Sequence, residues 1–197
     1  MTQILGEDLA RVISNTMKFV NPKSIYLPGE LLFDLTDGVL SCYACDDYIA
    51  IKDSAPMPES GDFHFVLSLE NAKELEAFAR ENKKSDLDFK VTINELERYD
   101  VTFSMNDVDK VTFETLEFRD VNWDIVDMIL FEDIPQVPFF DLAFRPERFT
   151  KFSQLKHDKE APMHWRLHEI NGNPIVRFDI GDTIHGAIRP VTMETNE

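Results

Sequence analysis

The chain has 197 residues, enough for one large domain or two small ones with a real core. Its 20 Lys and Arg stand against 37 Asp and Glu, a net charge of -17, which argues against a protein that coats nucleic acid with its whole surface. No apolar run approaches the ~20 residues that span a bilayer, and the start, MTQILGEDLARVI, lacks a secretory pattern, so the expectation is a soluble, cytoplasmic protein with no membrane partner.

Residues 7 to 19, EDLARVISNTMKF, put Leu9, Val12, Ile13, Thr16 and Met17 on one face at helical spacing and leave Arg11, Asn15 and Lys18 on another. Strand-like alternation follows at Ile25, Leu27, Leu31, Phe33 and Leu35, and after the TDG turn two more strands are expected at 39–43 and 48–51. A strand at 63–67 leads into a helix with Ser68 as N-cap and Ala72, Leu75, Phe78 and Ala79 facing inward. Three strands are then expected around 87–93, 99–105 and 110–118. From residue 139 the same order returns: a strand, a helix with Pro146 in its first turn, and three strands with turns at NGN and IGD. The chain thus reads as an internal repeat of roughly 50 to 60 residues, a period to be interpreted before any motif.

Of the 20 Lys and Arg residues, 12 lie in the three helices or just beyond their ends. Lys and Arg also suit solvated helix faces, but three basic helices in an acidic chain point to a shared basic surface.

Two stretches carry a family likeness. SIYLPGELLFDLTDGVLSCYACDDYIAIKDSAPM, followed by FHFVLSLENAKELEAFAR and by Leu116-Glu117-Phe118-Arg119-Asp120, resembles the middle domain of the bacterial DNA polymerase III beta sliding clamp. FDLAFRPERFTKFSQL through NPIVRFDIGDTIHGAIRPVTM is similar to its last half-domain. The resemblance implies an α+β DNA-clamp fold of repeated strand-helix-strands half-domains, with sheets outside and helices lining a channel. It also implies a clamp domain at 1–118, a linker or remnant half-domain at 119–137 and a C-terminal half-domain at 138–197.

By the same resemblance the protein is a non-enzymatic processivity factor, without cofactor or metal, that encircles duplex DNA and tethers a polymerase. Arg11, Lys18, Lys73, Arg80, Lys84, Arg148, Lys151 and Lys156 would face the channel, where contact is electrostatic and sequence-independent. A pocket for peptides of the polymerase and clamp loader would use Ile49, Val121, Trp123, Val126, Ala187, Arg189, Pro190 and Val191. Arg189 departs from the apolar side chain of the bacterial pattern, and the chain is shorter than the three-domain bacterial clamp, which suits a phage-type clamp. A two-domain protomer would close a ring as a trimer, the favoured state, whereas three half-domains per chain would need four copies. The alternative is a clamp-like interaction module that closes no ring.

Other chemistry is poorly supported. Cys42 and Cys45 form C-x-x-C, but on a strand residues three apart point to opposite faces, so one thiol is expected to be buried and the pair cannot grip one metal. His164 and His168 have finger-like spacing yet lie over a hundred residues away. No helix begins at the cysteines to activate a thiol. The acidic pairs Asp46-Asp47 and Glu132-Asp133 read as solvated turns, and no nucleophile motif, Walker loop or dinucleotide fingerprint occurs.

Overall fold

The computed structural model describes residues 2–24, 29–58, 61–106, 108–116, 126, 129–130, 133–138 and 142–191. The first unit is β1 (Gln3–Leu5), α1 (Gly6–Thr16), β2 (Glu30–Thr36), β3 (Val39–Cys45) and β4 (Ile49–Pro56). The second is β5 (Phe63–Ser68), α2 (Leu69–Glu81), β6 (Asp86–Ile93), β7 (Tyr99–Ser104) and β8 (Lys110–Glu114). The third has the short α3 (Pro146–Thr150), then β9 (Met163–Ile170), β10 (Asn173–Ile180) and β11 (Ile184–Ile188). The helix followed by three strands thus recurs three times in an α+β fold, although among the described residues no strand immediately precedes α3.

Two antiparallel sheets result, in the orders β1-β6-β7-β8 and β5-β2-β3-β4-β11-β10-β9. The first two units exchange their opening strands: β1 pairs with β6, and β5 with β2. The third unit joins through β11, which pairs with β4 from Ile184–Asp53 to Ile188–Ile49. One seven-stranded sheet thus runs from the first unit into the third.

Local chemistry explains the punctuation. The Ser68 hydroxyl accepts from the Asn71 N–H at 3.2 Å and caps α2. Pro146 opens α3, and Asn171 and Gly172, both at positive φ, make the two-residue turn between β9 and β10. No side chain caps α1; its Gly6 and Glu7 N–H groups donate to the carbonyls of Ser85 and Lys83 beyond α2.

Both helices cover one face of the sheets. Leu9, Val12 and Ile13 of α1 and Ala72, Leu75 and Ala79 of α2 are buried against Leu31, Phe33, Leu40, Phe65 and Phe103. Phe33 and Phe65 stack with centroids 4.7 Å apart. In the third unit Phe152, Trp165 and Phe178 form the aromatic core beneath α3. The described phenylalanines of FFDLAF and RFTKF, Phe144, Phe149 and Phe152, belong to this packing.

Three expectations need correction. The three-residue β1 carries too little pattern to be read as a strand, yet it forms a sheet edge. Asn15, placed on the outer side of α1, is fully buried, because its amide donates to Asp53 and to the Lys156 carbonyl and accepts from the Lys156 N–H. Both thiols are buried, not one. They do point to opposite faces: Cys42 sits in the helix-side core beside Thr16, and Cys45 on the other face, which the helical residues Val126 and Leu130 cover. HWRLHE is a strand, and His168 within it is buried, its Nδ1 2.8 Å from the Ile134 carbonyl as residues 134–137 run along the β9 edge. The expectations for residues 25, 27, 117–121, 123, 132 and 139–141 lie outside the described residues.

Candidate functional site

Two concave features stand out, one on the helix side and one on the opposite face. The first is a cleft of about 760 Å³ where α1 and the end of α2 meet the turns at 156–158 and 181–183; it brings together Arg11, Arg80, Lys83 and Lys156, with Glu7, Asp158 and Asp182. Lys83 was not among the channel residues expected from the sequence.

The cations are not equivalent. Arg80, Lys83 and Lys156 are exposed, as are Lys73 and Lys84 outside the cleft. Arg80 pairs with Glu76 one turn earlier. Arg11 is drawn inward: it pairs with the fully buried Asp53 and donates to the Ser54 carbonyl at 2.9 Å. Lys18 is half-buried, and burial, then the neighbouring Lys156, lower its pKa.

Arg148 departs most from expectation. It is buried, stacks over the Tyr48 ring at 3.9 Å and donates to the Arg189 carbonyl at 2.6 Å. Lys151 pairs with Asp46 at 2.9 Å. Arg148 of α3 and Lys151 just beyond it therefore brace the β3–β4 turn instead of standing free on a basic face.

That turn forms the rim of the second feature, a pocket of about 270 Å³ lined by Cys45, Asp46, Asp47, Tyr48, Ile49, Ala50, Val126, Ile129, Ile170, Asn171, Asn173, Ile175, Ala187, Ile188 and Arg189. Its floor follows from sheet register. Cys45 pairs with Ala50 and Ala50 with Ala187, so three small side chains lie side by side on one face and leave a trough. Val126 and Ile129 stand over it, and Arg177 Nε holds their helical segment by donating to the Ile129 carbonyl at 2.8 Å.

The rim is fixed by hydrogen bonds. Asp46 Oδ1 accepts from the N–H groups of Tyr48 and Ile49 at 2.8 and 2.7 Å, and the Arg189 N–H donates to the Tyr48 carbonyl at 2.9 Å. Burial, with Asp46 and Asp47 adding to it, pushes the Cys45 pKa up to about 12, and burial raises that of Cys42 as well. Both thiols are neutral at ordinary pH and poor nucleophiles.

Of the expected pocket residues, the structure brings Ile49, Val126, Ala187 and Arg189 together. Pro190 and Val191 do not line the pocket; Pro190 is buried and Val191 bridges to Ala143. Val121 and Trp123 lie outside the described residues. Ile129 and Ile175 went unread, although Val126, Ile129 and Leu130 show helical spacing and Ile175 continues the alternation of β10.

Comparison with known proteins gives a consistent fold. No protein-family model matches the chain, and no curated protein matches it in sequence. Among solved structures it is similar to the DNA polymerase III beta subunit of Thermotoga maritima (TM-score 0.68, 11% identity, covering 97% of this chain and 65% of that one). It is also similar to the DNA polymerase sliding clamp of Bacillus subtilis (0.67, 14%, 98% and 64%) and to the Helicobacter pylori beta clamp bound to a DNA ligase peptide (0.59, 9%, 100% and 68%). The chain thus spans just under two thirds of the first two chains. The fold is that of the bacterial sliding clamps.

Proposed function

We propose that this chain, having the fold of the DNA polymerase III beta sliding clamps, is itself a processivity clamp: a non-enzymatic ring that encloses duplex DNA and tethers a replicative polymerase. One observation carries the reading. In a chain of net charge -17, the exposed cations Arg80, Lys83 and Lys156 gather in one cleft on the helix-bearing side. Phosphates would meet these residues together with Lys73 and Lys84, while Arg11 and Lys18 would contribute charge from partly buried positions. Arg148 and Lys151 would serve the pocket. The contact would be electrostatic, weakened by salt and blind to sequence, as sliding requires.

The apolar pocket is the proposed dock for short peptides of the polymerase and the clamp loader. The Helicobacter clamp bound to a ligase peptide supports this, as does a trough whose floor is apolar and whose rim is polar.

The test is retention on nicked circular DNA, compared with the same DNA linearised. The wild type should stay on circles and run off ends. The triple variant Arg80→Glu, Lys83→Glu, Lys156→Glu should lose at least about ten-fold in retention, since each phosphate contact steepens salt-dependent binding, with its circular dichroism spectrum unchanged. Unchanged retention would remove the channel assignment.

A trimer is the favoured assembly. The chain covers about 65% of the Thermotoga clamp chain, which suits a two-domain protomer made of a clamp domain at 1–118, a linker or remnant half-domain at 119–137 and a C-terminal half-domain at 138–197; three such chains would supply six domains. Light scattering should therefore give three times the 22.8 kDa chain mass. A monomer at every concentration would favour the second reading, a clamp-like module that binds replication proteins without closing a ring. The five-residue α3, far shorter than α1 and α2, is the observation on its side.

A further inference from the structure

The pocket's charges are unequally used. Asp46 is satisfied by two backbone N–H groups and by Lys151, and Asp47 also has a partner. Arg189 is different. Its backbone is tied on both sides, to Tyr48 and Arg148, but its guanidinium makes no hydrogen bond or ion pair among the described residues and is exposed at the edge of the apolar trough. The base of the side chain is thus held in place while its planar fork of donors is left open, the arrangement suited to a carboxylate.

We infer that Arg189 selects, among peptides docking in this pocket, those with an aspartate or glutamate side chain beside their apolar anchors. The inference rests on the peptide-dock reading above and adds to it the chemistry of the partner. The apolar anchors fill the trough over Ala50 and Ala187, and the carboxylate reaches the guanidinium at its edge. The field of a chain with net charge -17 opposes any acidic peptide. A preference for the acid over its neutral amide must therefore arise from a local contact, and Arg189 is the pocket-lining cation positioned to make it.

The test uses labelled hexapeptides, acetylated and amidated, with Leu and Phe as anchors and either Asp or Asn between them, titrated with the full chain by fluorescence anisotropy at one ionic strength. The wild type should bind the Asp peptide about ten-fold more tightly than the Asn peptide, the size of one charge-assisted contact. Arg189→Ala, a change at an exposed side chain, should erase that ratio. Equal binding of the two peptides by the wild type, or a ratio that survives Arg189→Ala, overturns the role of Arg189 and leaves the pocket reading standing. An Asn peptide with a free C-terminus that alone gains affinity also overturns it, in favour of terminal-carboxylate capture. Failure of every peptide to bind overturns both the pocket reading and this inference.

Discussion

Asp53→Ala is expected to lower the unfolding free energy by about 3 to 5 kcal/mol in urea denaturation, the range for removing one partner of a buried ion pair. Asp53 is fully buried on β4, and its carboxylate accepts from Arg11, from the Asn15 amide at 2.7 Å and from the Ser54 N–H at 2.8 Å. Alanine removes the acceptor that all three share. Asn15 also holds the backbone of Lys156, so the loss should loosen the third unit from α1 and reduce protease resistance around 155–160. The double variant Arg11→Met, Asp53→Leu should recover much of the stability, because it removes both charges together. The pH dependence has a definite sign. Burial raises the Asp53 pKa by more than Arg11, Asn15 and Ser54 lower it, so the folded chain holds this proton more tightly than the unfolded one. The advantage of wild type over Asp53→Ala should be greatest below the unfolded value of 3.8 and shrink as pH rises through the folded value. An advantage that grows with pH would contradict this.

Gly186→Ala is expected to cost about 2 to 3 kcal/mol, the upper part of the usual overpacking range. Gly186 of β11 lies directly opposite Phe178 of β10, and the aromatic ring occupies the space that a Cβ would need. The ring cannot retreat easily. Phe178 is fully buried, 4.7 Å from the Phe152 ring and 5.4 Å from Trp165. The strain should shift β11, and Ala187 on that strand is part of the pocket floor, so peptide affinity should fall along with the melting temperature. Phe178→Leu supplies the control: in that background Gly186→Ala should be less costly than in wild type, a coupling expected of residues in direct contact. Strictly additive effects would show that the ring is not the obstacle.

Much of this architecture was legible because it is local. Alternation marked β2 to β5, Ser68 announced α2, and the Asn-Gly turn fixed the β9–β10 hairpin. What was not legible depends on partners distant in sequence. Asn15 reads as a solvent-facing residue until Lys156 and Asp53 meet it. Arg148 has the composition of a phosphate contact, and only the approach of Tyr48 and Arg189 turns it into a rim brace. Burial of Cys45 depends on a helical segment eighty residues later crossing the outer face. The pocket was half visible for the same reason: Ile49, Val126, Ala187 and Arg189 came from family likeness, whereas the trough itself is a product of register between β3, β4 and β11.

The strand order also bears on how the chain is made. While translation proceeds, the β4 edge emerges early, but the strand that covers it, β11, is among the last described elements to leave the ribosome. Throughout that interval an apolar strand with unpaired backbone groups stands open to neighbouring nascent chains, a known route to misassembly. Late closure of this kind should make the protein a client of ribosome-associated chaperones, and should make its yield more sensitive to expression temperature than its final stability would suggest.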